Sequence, residues 1–177
     1  MASSRPAAAL AAALIVLLVP ASAAAACRGA GATTRTATTS TLVRATLCIL
    51  NAKRADHHLR PLRPNSKLAT AARRHSRAMV RQRFFSHTSP NGDTFIDRIR
   101  ATGYLEGARS WSAGENIAYG SGSRSTPRSI GRAWMGSPGH RANILSRSFR
   151  AIGIGIASGT PVGVAGATYT TDFGRRD

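Results

Sequence analysis

The segment AIGIGIAS, residues 151–158, constrains the fold of this chain more than any other part of the sequence. Isoleucine and glycine alternate along it, so in a β-strand the three isoleucines point to one face while Gly153 and Gly155 lie on the other. A face without side chains lets another backbone element approach closely. The turn residues SGTP follow, and residues 162–174 return as a second strand. The sequence therefore predicts an antiparallel hairpin with another element packed closely against its glycine face.

Helical periodicity fills most of the chain before this hairpin. Apolar residues recur every three to four positions from Thr41 to about His58, and again from Leu68 to Met79 behind a cap at Asn65 or Ser66. Shorter helices are predicted over residues 95–102, after Pro127 and over residues 140–145. Because helices come first and strands mostly last, the pattern indicates an α+β domain whose small antiparallel sheet is covered by helices.

The N-terminal residues 1–26 have the pattern of a secretory signal peptide. Arg5 precedes a short apolar run from Ala7 to Val19, and Pro20 and several small residues follow it. A run of about thirteen apolar residues is short for a membrane span. We therefore expect an exported protein with no transmembrane segment after cleavage, in which residues 27–40 form a short polar tether before a domain at 41–177.

The chain contains two cysteines, Cys27 and Cys48. In an oxidising exterior such a pair usually forms a disulfide. The bridge would close a loop of about twenty residues and contribute roughly 3 kcal/mol on the chain-entropy model. The alternative is a lipid anchor on Cys27, because this cysteine closely follows an apolar run and small residues.

The charge balance is strongly basic, with 25 Lys and Arg residues against 7 Asp and Glu and a formal net charge of +18. Such a charge attracts the protein to anionic surfaces such as wall polymers, lipid headgroups or nucleic acid. The basic residues are scattered, however, and lack the aromatic interleaving typical of single-strand binding. We therefore expect an anionic surface, lipid or cell-wall polymer as the partner, and we do not expect nucleic acid.

Three residues qualify as site candidates because each lies at a turn or element end beside Gly or Pro: His87, Glu115 and His140. Two imidazoles and a carboxylate are a common ligand set for a divalent ion. Glu115 lies among small and apolar neighbours, so its carboxylate is expected to be partly buried and to need a cation, a metal or several N–H donors. His75, by contrast, falls on an apolar helix face and is expected to be a hydrogen-bonded core residue.

Four ordered motifs, FSHTSPNG, GENIAYG, AWMGSPGHRANIL and IGIGIA…YTTDFG, resemble the bacterial branch of the CAP superfamily. These are the cysteine-rich secretory, antigen 5 and pathogenesis-related proteins, also called SCP-like. The resemblance covers about residues 41–174. It implies a single secreted domain built as a CAP-type α-β-α sandwich with a central cleft.

The resemblance also implies a cleft tetrad of two histidines and two acids that can bind a divalent metal. His87 is similar to the first histidine, Glu115 to the first acid and His140 to the second histidine. The second acid would fall near Ser137, where no carboxylate stands, so Ser137 is expected to support a ligand rather than to be one. The expected cofactor is one divalent ion, zinc foremost, that the fold does not require. The alternative is that Glu115 holds one or both imidazoles by hydrogen bonds without metal.

Two main functional hypotheses follow. The first is a secreted, non-enzymatic module that binds lipid, sterol or cell-wall polymer, which is favoured because the motifs GxSxG and HExxH and a P-loop are all absent. The second is a metal-dependent hydrolase of peptide or ester bonds, in which the ion or Glu115 activates water. A third, an effector that binds a protein partner, rests only on the flexible segment GSGSRS.

Overall fold

A computed structural model describes Met1 and residues 27–177, so the predicted signal peptide lies outside the described residues except for Met1. The helices are α1 (Thr39–Ala55), α2 (Ser66–Arg81), α3 (Phe95–Arg100), α4 (Pro127–Gly136) and α5 (Pro138–Leu145). The strands are β1 (Arg63–Pro64), β2 (Trp111–Ser121), β3 (Ala151–Ser158) and β4 (Gly166–Arg176). Together they form the predicted α+β arrangement of helices around one small sheet.

The sheet has the strand order β1-β3-β4-β2. The predicted hairpin is confirmed as the antiparallel pair β3 and β4, and β2 pairs antiparallel with the outer side of β4. The two-residue strand β1 pairs parallel with β3, so the sheet is not wholly antiparallel as predicted. Strand β2, which carries Glu115, was not identified from the sequence. It forms one edge of the sheet.

The two faces of β3 behave as the alternation predicts. Its isoleucines join the largest core cluster, together with Leu42 and Leu50 of α1 and Ile130 and Trp134 of α4. On the opposite face, β-carbons added at the two glycines of β3 would overlap the backbone of α2. Helix α2 therefore packs against this face at a distance that only glycine permits. Helices α1 and α4 cover the other face, so the fold has three layers.

Helix α1 ends earlier than predicted, at Ala55 instead of about His58. The backbone N–H of Leu59 bonds back to the carbonyl of Arg54, and His58 adopts a left-handed conformation with φ 54°. Such a residue closes a helix by satisfying its last carbonyls. The sequence pattern missed this stop because non-glycine residues adopt the left-handed conformation only in particular surroundings.

Strand β4 begins at Gly166, four residues later than the predicted 162. The intervening loop is closed by Thr160, whose hydroxyl donates to the carbonyl of Val164 and accepts from its N–H. Gly163 in this loop has a φ of 80°, in the left-handed region that favours glycine. The backbone hydrogen bonds of residues 160–164 are therefore made within the loop and not to β3.

The predicted disulfide between Cys27 and Cys48 is confirmed, with the two Cα atoms 5.7 Å apart. It fastens the segment before α1 to that helix and leaves no thiol on Cys27 for a lipid. The same segment is also hydrogen-bonded to the domain, since the Ala30 carbonyl accepts from the Arg128 N–H and the Thr34 hydroxyl donates to the Gly166 carbonyl. Within the described residues, none of the helices combines the length and the apolar character needed to cross a membrane.

Gly153→Ala should destabilise the protein because its new β-carbon meets the backbone of Leu68 and Ala69, which cannot rotate away. We expect the free energy of unfolding in urea to fall by about 3 kcal/mol or more. Gly136→Ala is the matched control, since apart from its chain neighbours and its own helix backbone no atom lies within 4 Å of the added β-carbon. Its free energy of unfolding should stay within about 1 kcal/mol of the wild-type value. Equal effects of the two substitutions would contradict the close approach of α2.

Candidate functional site

Glu115 lies in the middle of β2, and its side chain is only 1% exposed. Its two carboxylate oxygens accept hydrogen bonds from different elements. Arg98 Nη2 lies 2.7 Å from Oε2, and His87 Nδ1 lies 2.7 Å from Oε1. The predicted need of this carboxylate for a cation is therefore met by an arginine and an imidazole of the chain itself.

The pKa of Glu115 reflects two opposing effects. Burial disfavours the charged carboxylate and raises its pKa, whereas the hydrogen bond from His87 and the charge of Arg98 lower it. The favourable partners prevail, so the pKa of Glu115 lies below its ordinary value. Glu115 is thus a carboxylate whose charge is stabilised in place, which makes it a weak proton acceptor.

Arg98 of α3 was not identified from the sequence. Its side chain is 9% exposed, and besides Glu115 it binds the loop before α3. Arg98 Nη1 donates to Ser89 Oγ at 3.1 Å and to the carbonyl of Asp93 at 3.0 Å. The sequence predicted a cation, a metal or several N–H donors near Glu115, but no local spacing distinguishes Arg98 from the other arginines.

His87 lies in the loop between α2 and α3, and its side chain is 51% exposed. Because a carboxylate only accepts hydrogen bonds, Nδ1 of His87 carries the proton that is donated to Glu115. In the neutral ring Nε2 then keeps its lone pair. Within the described residues, no group forms a hydrogen bond with that Nε2.

His140 lies in the first turn of α5, next to the serine that precedes the helix. His140 Nδ1 is 2.8 Å from Ser137 Oγ, within hydrogen-bond distance. The helix is attached to β2 by two asparagines: Asn116 Nδ2 donates to the carbonyl of His140 at 3.0 Å, and Asn143 Nδ2 donates to Asn116 Oδ1 at 2.9 Å. These asparagines, which the sequence analysis did not single out, position His140 beside the strand that carries Glu115.

The three predicted site residues thus lie around one edge strand but do not all contact one another. Glu115 is hydrogen-bonded to His87, whereas His140 is hydrogen-bonded to Ser137. The pKa of His140 is lowered by burial and then by the neighbouring His87. Across residues 27–177, no three histidine, cysteine or acidic side chains are grouped closely enough to surround one ion.

His75 is a buried core residue, as predicted. It is 1% exposed, its Nε2 lies 3.0 Å from the carbonyl of Ser86, and its ring meets Phe84 edge-on at 5.7 Å. Because a carbonyl only accepts, Nε2 is the protonated nitrogen. Burial lowers the pKa of His75, which keeps the ring neutral.

A second buried acid, Asp172 of β4, stands directly opposite Glu115 in the β2–β4 ladder. It is 1% exposed, and neither of its carboxyl oxygens receives a hydrogen bond from a described group. Burial, followed by the charge of Glu115, raises the pKa of Asp172 well above its ordinary value. Asp172 is therefore favoured as a neutral acid that can donate its proton to Glu115. The sequence contained one signal for Asp172: the alternation of a β-strand over YTTDFG puts it on the face opposite Phe173.

Comparison with known proteins gives a family match over most of the domain. The sequence model of CAP, the cysteine-rich secretory protein family, matches residues 47–171. Among curated proteins, YkwD of Bacillus subtilis is 35% identical over 125 residues, which is 71% of this chain and 44% of that protein. The chain therefore spans less than half the length of that relative.

Two solved structures show the same fold. An extracellular protein containing a SCP domain from Bacillus anthracis aligns with 77% of this chain and 43% of its own, at 27% identity and a TM-score of 0.58. An outer surface protein of Borrelia burgdorferi aligns with 80% of this chain and 97% of its own, at a TM-score of 0.65 and 20% identity. The second similarity concerns the fold alone.

Asp172→Asn should become increasingly more stable than wild type as the pH rises. The asparagine amide can donate to Glu115 without ionising, whereas Asp172 must stay protonated to do so. Because the folded-state pKa of Asp172 is raised, its contribution to stability is complete below the unfolded pKa of about 3.9. It is lost at about 1.4 kcal/mol per pH unit as the pH rises towards the folded-state pKa.

Urea unfolding of both proteins between about pH 4 and pH 8 measures this difference. Asp56→Asn, which removes an exposed carboxylate, is the control for loss of one acid. A difference between Asp172→Asn and wild type that stayed constant across this range would show that Asp172 does not titrate abnormally.

Proposed function

We propose that this chain, which belongs to the bacterial branch of the CAP family of cysteine-rich secretory proteins, acts outside the cell. On this proposal it is a non-enzymatic module that binds an anionic lipid. Export is supported by the disulfide, since such bonds persist in oxidising compartments. It is also supported by the similar structure from Bacillus anthracis, which is that of an extracellular protein.

A groove between α1 and α4 is the observation that carries this proposal. It has a volume of about 450 Å³, and its apolar wall includes Ile49 and Met135. Basic side chains surround that wall: Lys53, Arg128, Arg132 and Arg141. The one carboxylate there, Asp56, is paired with Lys53 at 2.9 Å, so the arginines keep their excess positive charge. An apolar surface bordered by cations fits a ligand with an acyl chain and an anionic headgroup.

The state of Glu115 agrees with a binding role. A general base needs an accessible lone pair and a pKa near the working pH. Both oxygens of Glu115 already accept hydrogen bonds, and its pKa is lowered. This carboxylate therefore serves to hold Arg98 and His87 in place.

Copelleting with vesicles tests the proposal. Vesicles containing phosphatidylglycerol should bind the protein, those of phosphatidylcholine alone should not, and binding should weaken with added salt. The triple substitution Arg128→Gln, Arg132→Gln and Arg141→Gln should weaken binding at least about tenfold, because it removes the groove charges.

The matched control is Arg35→Gln, Arg44→Gln and Arg73→Gln, which removes the same charge from exposed positions outside the groove. Cholesterol-containing phosphatidylcholine vesicles and purified peptidoglycan identify the sterol and wall-polymer alternatives. If anionic vesicles fail to bind even at low salt, or if both triple variants lose binding equally, the groove is not a lipid site.

A second candidate function is a divalent metal site formed by the two histidines. Each histidine has Nδ1 held by an oxygen of the chain, Glu115 Oε1 for His87 and Ser137 Oγ for His140. Histidines that bind metals typically have one ring nitrogen oriented in this way, which leaves the other for the ion. On this proposal the ligands are the Nε2 atoms of His87 and His140, and Glu115 supports His87. A bound Zn²⁺ would supply a Lewis acid and an activated water, which is the basis of the hydrolase hypothesis.

Isothermal titration of Zn²⁺ into the metal-stripped protein tests this site. Wild type should bind one ion, and His87→Ala/His140→Ala should lose the binding heat. His57→Ala/His58→Ala, a pair of exposed histidines at the end of α1, should retain it. If His87→Ala/His140→Ala still binds zinc while this control does not, the ion lies elsewhere, and the hydrolase hypothesis loses its support.

A further inference from the structure

A separate cavity lies between α2 and the segment that runs from Ser89 into α3. Its volume is about 430 Å³, within the range of sites for small molecules. Three alanines form part of its wall, and four arginines supply its charge: Arg74, Arg77, Arg81 and Arg98. His87, Glu115 and His140 do not line it. The cavity is thus distinct from the site around Glu115, although Arg98 contributes to both.

The three arginines of α2 are concentrated on one helical face. They follow one another at i, i+3 and i+7, so their side chains neighbour each other along the cavity. All three are exposed, and within the described residues none of them forms an ion pair or a side-chain hydrogen bond. Like charges at this spacing repel each other and destabilise the helix. A bound anion would remove that repulsion.

One acid, Asp93, lines this otherwise basic cavity. Its Oδ2 accepts a hydrogen bond from Asn91 Nδ2 at 2.8 Å, and within residues 27–177 no side chain donates to its Oδ1. A carboxylate beside four guanidinium groups would repel a simple anion. It can, however, accept a hydrogen bond from a hydroxyl group of a ligand whose anionic part lies against the arginines.

We infer that this cavity binds a phosphorylated polyol, whose phosphate contacts Arg74, Arg77 and Arg81 and whose hydroxyl groups donate to Asp93. The planar guanidinium group matches the oxygens of phosphate with paired hydrogen bonds. Several arginines around one cavity suit a phosphate, which presents more oxygens and more charge than a single carboxylate. The phosphate and hydroxyl chemistry is shared by free glycerol phosphate and by the headgroup of phosphatidylglycerol. This cavity is separate from the groove of the proposed function, and binding here does not depend on that groove.

Isothermal titration of glycerol 3-phosphate, inorganic phosphate and glycerol into the purified protein tests this site. We expect one glycerol 3-phosphate to bind, inorganic phosphate to bind more weakly and glycerol not to bind. Arg74→Gln/Arg77→Gln/Arg81→Gln should weaken binding at least about tenfold. Changing the same three residues to Lys keeps the net charge but removes the planar guanidinium groups, so binding should still fall several-fold. Asp93→Asn should reduce the preference for glycerol 3-phosphate over inorganic phosphate.

The control is again Arg35→Gln/Arg44→Gln/Arg73→Gln, which should bind like wild type; Arg73 lies on α2 beside the cavity arginines but does not line the cavity. Circular dichroism and thermal unfolding establish that each variant is folded. The inference is overturned if wild type does not bind glycerol 3-phosphate, or if the cavity variant binds as wild type does. It is also overturned if the control loses as much affinity as the cavity variant.

Vesicles of phosphatidylglycerol distinguish the source of the phosphate. A lipid headgroup is the ligand if the cavity variant loses vesicle binding beyond the control, and a free phosphorylated polyol is the ligand if it does not. The proposal that the groove binds lipid is tested separately. It fails if the variant at Arg128, Arg132 and Arg141 still binds vesicles as wild type does.

Discussion

Glu115 carries a negative charge in the middle of an edge strand, at a point where its side chain is almost closed to water. An unpaired charge there would cost several kcal/mol, so the surrounding elements must supply its partners. Arg98 comes from α3 and His87 from the loop before it. Neutralising one carboxylate therefore fastens two elements outside the sheet to β2. Burial and then the charge of Glu115 raise the pKa of the neighbouring Asp172, which favours its neutral form.

The glycine face of β3 sets the position of the helices on that side of the sheet. Because β3 presents no side chains there, α2 approaches to the point where a β-carbon at Gly153 would overlap its backbone. The buried face of α2 combines Leu68, His75 and Met79 with small residues, while Arg74, Arg77 and Arg81 remain exposed and line the cavity beside α3. A packing requirement of one strand thus places a row of guanidinium groups beside a cavity.

Folding also gathers basic residues that are scattered along the sequence. Arg128, Arg132 and Arg141 come together with Lys53 around the groove between α1 and α4, although α1 and α4 are far apart in the chain. The cavity beside α2 collects a second group. Part of the basic charge is therefore concentrated at two defined places, each beside a cavity. Local fields of this kind select among anions, whereas a uniform charge only attracts them.

The sequence by itself determined the hairpin, the glycine face, the disulfide, most of the helices and the core position of His75, because each depends on local periodicity or on a unique pair of residues. It also predicted that Glu115 needs a cation, a metal or several N–H donors. Only the tertiary structure decided that the cation is Arg98, that Asp172 stands beside Glu115 and that His140 contacts Ser137 and not Glu115. It also decided that α1 stops at Ala55 and that β1 adds a parallel strand. These contacts depend on strand register and helix docking, which bring together residues that no sequence spacing relates.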